Sequence, residues 1–155
     1  MIILGIDPGY KRIGYGIVQT NSSAFSLLDA GLLKVTASTG AEVALEVSLE
    51  IKNLIDKFSP SFLALEKLYF SKNQKTAIRV AEMRGIISLA ATEKKLPIKE
   101  LAPTEIKLGI AGYGSAGKKE VAKMVRLTLN KPNLKVIDDV SDALAAAIVA
   151  SSKLI

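Results

Sequence analysis

The sequence predicts an α/β protein, a mixed five-stranded sheet flanked by helices, and three observations carry that expectation. Strand-length apolar runs at 2–7, 13–19 and 25–36 follow one another across short turn signals, which describes a three-strand antiparallel meander. From Gly40 the hydrophobic period lengthens to that of a helix. Two later apolar runs, FLALEK and PIKELA, each follow a helical stretch, so strands 1, 4 and 5 can run parallel through helical crossovers.

Each element has a local reason. IILGID at 2–7 is continuous apolar strand, PGYKR is a turn, and IGYGIVQ returns from it; FSLLDAGLLKVT makes the third strand. Ala44, Val47, Ile51, Leu54, Ile55 and Phe58 recur at helical spacing, and Ser59-Pro60 ends that helix. FLALEK leads into the loop LYFSKN at 68–73, and a long helix from about Gln74 to Lys95 stops at Leu96-Pro97 before PIKELA. Beyond Pro103 the pattern is helical, broken by AGYGSAG at 111–117, and it closes with a helix from about Asp138 to Lys153. With no repeat or linker, residues 1–155 read as a single domain, long enough to bury about two-thirds of its unfolded surface.

Composition removes several kinds of chemistry. The chain has no cysteine and no histidine, which excludes disulfides, thiolate sites, Ser-His-Asp triads and imidazole-bound zinc. Hydrophobic residues make up 49% of the chain, yet no run approaches the roughly 20 residues of a membrane span. The N-terminal MIILGI lacks a basic leader and meets Asp7 too soon for a signal peptide, so no membrane partner and a cytoplasmic location are expected. The net charge is +6, and residues 103–135 hold seven basic side chains against two acids, a net +5. Such a segment suits a phosphate-rich partner, although a lysine-bearing helix face in solvent reads the same way.

Three acidic features stand where carboxylates are expensive. Asp7 ends the first apolar strand and Glu66 ends FLALE, so parallel pairing would bring them together at the carboxyl rim of the sheet, with strands about 4.8 Å apart. In DDVSD, Asp139 and Asp142 lie three apart and share one helical face. The ALAAAIVA that follows is small enough to let that helix lie close on the sheet. Four gathered carboxylates repel one another unless a cation sits among them, and all-oxygen ligands suit Mg²⁺ or Mn²⁺. Two such ions about 3.5 to 4 Å apart can activate water and stabilise the leaving oxygen of a phosphodiester. Taken singly, Asp7 before Pro8-Gly9 also suits a turn, Glu66 an ion pair with Lys67, and Asp138 or Asp139 a helix N-cap.

The motifs GIDPGYKRIGYGIV, ALEKLYFSKN, AEMRGI, PTEIKLGIAGYGSAGKKEVAKMV and DDVSDALAAAI stand in that order between Ile3 and about Ala150. Through them the chain resembles the RuvC Holliday-junction resolvases, which have the ribonuclease H-like fold. The resemblance implies that Asp7, Glu66, Asp139 and Asp142 are catalytic metal ligands for two Mg²⁺ ions, with Mn²⁺ able to substitute. It implies hydrolysis of two opposed strands of four-way junction DNA by a homodimer, with RuvA and RuvB as branch-migration partners. Lys107 and Lys118 match basic residues serving DNA binding and catalysis, and Lys72 and Lys119 join them as DNA contacts. Tyr69 falls where relatives carry a phenylalanine that stacks on junction bases, an interaction worth about 1–3 kcal/mol per base.

The chain departs from the family in three places. Tyrosine stands at 69; Asp138 adjoins Asp139, where some relatives have histidine; and no basic tail follows the last helix. The helix KTAIRVAEMRGIISLAATEK is apolar around most of its girth, which fits burial against the sheet on one side and a second copy on another. The YqgF group of the same superfamily, acting on RNA, shares the opening motif but fits YFSKN, GKKEVAKMV and DDVSDALA less well. Sugar-kinase and actin-like ATPases use a GIDxG strand and turn but need two lobes. A junction-binding module without chemistry would not need all four acids.

Overall fold

The computed structural model describes residues 1–10, 12–21, 24–68 and 74–152. The strands are β1 (Ile2–Asp7), β2 (Gly14–Thr20), β3 (Phe25–Leu32), β4 (Phe62–Glu66) and β5 (Ile98–Leu101), and the helices are α1 (Gly40–Phe58), α2 (Gln74–Glu93), α3 (Pro103–Ala111), α4 (Lys118–Thr128) and α5 (Asp138–Ser152). The sheet order is β3-β2-β1-β4-β5. β1, β2 and β3 form the antiparallel meander, while β1–β4 and β4–β5 are parallel, as the crossovers require.

Because β1 and β4 are central, their side chains are apolar on both faces, and alternation divides them between two cores. Ile3, Phe62 and Ala64 face α3, α4 and α5, whose contributions include Ile106, Val121 and Leu144. Leu4, Ile6, Leu63 and Leu65 face α1 and α2, meeting Val47, Ile51, Met83 and Ile87. Each buried branched aliphatic contributes roughly 1.5–3 kcal/mol over its exposed state. Among the described residues no helix is long and apolar enough to cross a membrane.

Helix ends follow their sequences. Thr39 caps α1, its hydroxyl oxygen accepting from the Glu42 N–H at 3.4 Å, and Ser59 closes it in the left-handed region at φ 47°. In α3, Pro103 occupies the first turn and the Glu105 carboxylate accepts from the Ala102 N–H at 2.7 Å. Gly112, at φ 87°, ends α3 within the glycine-rich stretch.

Two expectations need correction. The third strand stops at Leu32 instead of continuing to 36, because its partner β2 begins at Gly14, opposite Leu32, and donors beyond that point turn to carboxylates of α1. Glu46 Oε2 accepts from the N–H groups of Thr36 at 2.6 Å and Ala37 at 3.1 Å, and Glu50 Oε2 accepts from Lys34 at 3.3 Å. These backbone bonds hold the Glu46 carboxyl below its usual range. In α1 the buried stripe starts with Val43, and Ala44 is only half-buried.

Candidate active site

The β1–β4 register pairs Ile6 with Leu65, so the next residues along, Asp7 and Glu66, end neighbouring parallel strands at one rim. The β1–β2 register places Gly14 opposite Asp7. α5 crosses these strand ends at very short range. A Cβ on Gly5 would lie 2.1 Å from the Ala143 carbonyl oxygen, and one on Gly14 would lie 2.1 Å from that of Asp139. The two glycines and the small residues of α5 therefore serve one purpose: they let the first turn of a helix rest on the rim where the strands finish.

The four acids feel one another there. Burial, followed by Asp142, Glu66 and Asp139, pushes the Asp7 carboxyl up to about 7 from 3.8, against the pull of Lys118. Glu66 is raised by burial and then by Asp142, with Lys107 and Lys118 opposing. Asp142 is also raised, by burial first, although Lys118 and Lys107 draw it down against Asp138 and Asp139. For Lys118 burial works downward, but Asp142, Asp138 and Asp139 together hold its ammonium above the ordinary range.

The adjacent aspartates separate by environment. Asp138 is exposed and lies 3.5 Å from Lys118 Nζ. Asp139 is half-buried and belongs to the surroundings of Asp7. Its Oδ2 stands 2.8 Å from Arg12 Nη2 but off the hydrogen-bond line, leaving a buried carboxylate oxygen with a charge partner and no donor. Among the described residues no three acidic side chains are arranged to hold one ion. Like charges keep apart, and Arg12 and Lys118 draw two of the aspartates toward themselves. The donor set is nevertheless oxygen-only and anionic, with a buried Asp139 oxygen lacking a hydrogen-bond donor, which is the chemistry a hard divalent cation satisfies.

Two clefts flank Glu66. One of about 150 Å³ is lined by Asp7, Glu66, Leu68 and Pro103. The other, of about 220 Å³, is lined by Glu66, Lys107, Lys118, Val121 and Asp142, so cations face acids across it. A larger depression of about 390 Å³ lies at the opposite end of the sheet, beside Ser61 and Pro97, where Lys94 is bound by Asp56 at 2.6 and 2.7 Å. It gathers none of the four acids.

Of the sequence-predicted residues, Asp7, Glu66, Asp139, Asp142, Lys107 and Lys118 come to this rim. Lys119 is exposed at the start of α4. Tyr69 and Lys72 lie outside the described residues. Sequence reasoning gave no role to Arg12 or Arg84. Arg84 Nε donates to the Glu66 carbonyl oxygen at 3.2 Å, and its guanidinium pairs with Glu100 of β5, so α2 grips the end of the strand carrying Glu66. Both arginines sit inside the quoted motifs, but only the tertiary fold reveals their partners.

The model of the family "Crossover junction endodeoxyribonuclease RuvC" matches residues 3–150. The protein of that name from Natranaerobius thermophilus is 40% identical over 152 residues, covering 97% of this chain and 94% of its own. The one from Ruminiclostridium cellulolyticum is 42% identical over 149 residues, covering 96% and 90%. Among solved structures, T. thermophilus RuvC in complex with a Holliday junction substrate superposes with a TM-score of 0.92 at 28% identity, covering 99% of this chain and 94% of that one. The sheet order, the parallel central strands and this superposition make the fold ribonuclease H-like. The chain belongs to the crossover junction endodeoxyribonuclease RuvC family.

Proposed function

We propose that this chain is a structure-selective endonuclease that cuts four-way DNA junctions in recombination and repair, with divalent ions held by Asp7, Glu66, Asp139 and Asp142. The observation that carries the reading is the meeting of acids from three distant segments at one rim, with Lys107 and Lys118 across the cleft from them. The family is one of metal-dependent nucleases. The oxygen donor set favours two Mg²⁺ ions, with Mn²⁺ as a substitute. Bound there, the ions would supply an activated water and stabilise the leaving oxygen of the phosphodiester.

The chain's own residues do the rest. Lys107 and Lys118 neutralise the phosphate brought to the cleft, and Lys119 and Lys72 extend the basic track along the DNA. Tyr69, three residues after Glu66 in the sequence, stacks on bases opened at the crossover. Arg84 fixes the Glu66 backbone from α2.

The same α2 supports a homodimer. Ile78 and Leu89 are 57% and 59% exposed, and a Cβ on Gly85, between them on that face, would meet nothing. A mid-helix glycine costs about 1 kcal/mol relative to alanine, a cost offset where a second backbone approaches closely. Two copies joined there would present two sites to two opposed strands. RuvA and RuvB, as branch-migration proteins, and a cytoplasmic location complete the reading.

The test is cleavage of synthetic four-way junctions beside linear duplexes of the same sequences. The expected result is junction cutting in Mg²⁺ at paired symmetric positions, little cutting of duplex, and none after chelation. Equal cutting of both substrates, or cutting that persists in chelator, would remove the reading.

A further inference from the structure

Arg12 has no part in the reading above, yet it contacts one of the four acids. It follows the β1 turn and precedes β2, and the backbone fixes its position from both sides. A Cβ on Gly9 would lie 2.1 Å from the Arg12 carbonyl oxygen, so the turn is closed tightly on itself. Two residues later, Gly14 carries the first turn of α5 with the Asp139 carbonyl against it. From this turn the Arg12 guanidinium reaches the Asp139 carboxylate, at 2.8 Å.

The pairing is a weak one. The Arg12 side chain is 65% exposed, so solvent screens the guanidinium although the Asp139 oxygen it meets is buried, and ion pairs screened in this way are worth about 0–1 kcal/mol. The contact also lacks hydrogen-bond alignment, since Asp139 Oδ2 has no donor. A guanidinium engages a phosphate through two parallel charge-assisted bonds, a better match than this one. A divalent ion is likewise a stronger partner for the carboxylate than an exposed arginine. Both members of the pair therefore gain by exchanging partners when DNA phosphate and metal arrive together.

We propose that Arg12 is a substrate-phosphate ligand held in reserve: without DNA it closes on Asp139, and a junction phosphate draws it away and frees Asp139 for the metal. The inference rests on the metal-dependent junction reading. It makes Arg12 a competitor for the ion before DNA binds and a contributor to DNA affinity afterwards, so removing it changes the two affinities in opposite directions. A residue serving only to anchor α5 would lower the melting temperature and leave both affinities in place.

The experiment uses the full chain and the variants Arg12→Gln and Arg12→Lys. Calorimetric titration with Mn²⁺ in the absence of DNA should give binding roughly 3- to 10-fold tighter in Arg12→Gln than in wild type, the range expected when an ion pair of about 1 kcal/mol is removed. Fluorescence anisotropy on a labelled four-way junction in chelator should give weaker binding, with the slope of log affinity against log salt reduced by about 1. Arg12→Lys should keep most of the salt slope. Unchanged or weakened Mn²⁺ binding, or an unchanged salt slope, overturns the assignment of Arg12. If wild type binds both Mn²⁺ and junction while Arg12→Gln alters neither, only this inference falls; if wild type binds neither, the endonuclease reading falls with it.

Discussion

Asp7→Asn is expected to stabilise the metal-free protein above neutral pH while abolishing cleavage. Burial, and then Asp142, Glu66 and Asp139, oppose the charge of the Asp7 carboxyl and push it up to about 7 in the folded protein, from the ordinary 3.8. Between those values the folded state holds a proton that the unfolded chain has released, so stability falls as pH rises from about 4 through 7. Below the lower value the penalty is absent; above the upper one it is fully present. The shift corresponds to about 4 kcal/mol at 1.36 kcal/mol per unit, and roughly 1–3 kcal/mol is the better expectation for a half-buried carboxylate screened by solvent.

Asparagine keeps the shape without the charge. In chelator at pH 8 the variant should melt about 3–8 °C above wild type, and at pH 4 or below the two should converge. Cleavage in Mg²⁺ should fall by about three orders of magnitude or more, as when a group central to the chemistry is lost, while junction binding is largely kept. Thermal melts across pH, with cleavage assays alongside, check both halves. A variant no more stable than wild type at pH 8 would mean that Asp7 is not in the crowded anionic setting described.

The second large effect is expected at a residue with no side chain. A methyl on Gly14 would sit 2.1 Å from the Asp139 carbonyl oxygen and 2.4 Å from its carbon, both backbone atoms that cannot rotate away. Gly14→Ala must therefore lift the first turn of α5 by about an ångström. Overpacking of this kind costs roughly 1–3 kcal/mol, and an ångström of displacement at a reacting centre can cost about 10²-fold in rate. The expected result is a folded, destabilised protein whose cleavage is reduced on that order, measured by urea unfolding and single-turnover assays. Gly40→Ala is the control, since a Cβ there meets nothing. Equal behaviour of the two variants would deny that the close seating of α5 positions Asp139 and Asp142.

The strands that end in Asp7 and Glu66 were legible in the sequence because central strands read as unbroken apolar runs, so a carboxylate ending one is conspicuous. The seating of α5 was legible from its alanines. Where expectation failed, the deciding partner was distant in sequence. The VT at 35–36 has strand character, but β2 begins only at Gly14, opposite Leu32, and the Thr36 and Ala37 N–H groups go to Glu46, which no local pattern could reveal. Val43 and Ala44 are both apolar and one position apart, so composition could not choose which one α1 would bury. Arg12 and Arg84 meet acids or carbonyls presented by other elements, and only assembled coordinates show whose. Asp138 and Asp139 are indistinguishable as letters; their separation comes from the pitch of α5 over Gly14, which turns one to Lys118 and the other toward Asp7.

The most direct measurement is a crystal structure grown in Mn²⁺, with the ion located by its anomalous scattering. The account predicts manganese at the rim, with oxygens of Asp7 and at least two of Glu66, Asp139 and Asp142 within about 2.0–2.3 Å. Manganese bound elsewhere, or a rim without an anomalous peak at saturating concentration, would contradict it.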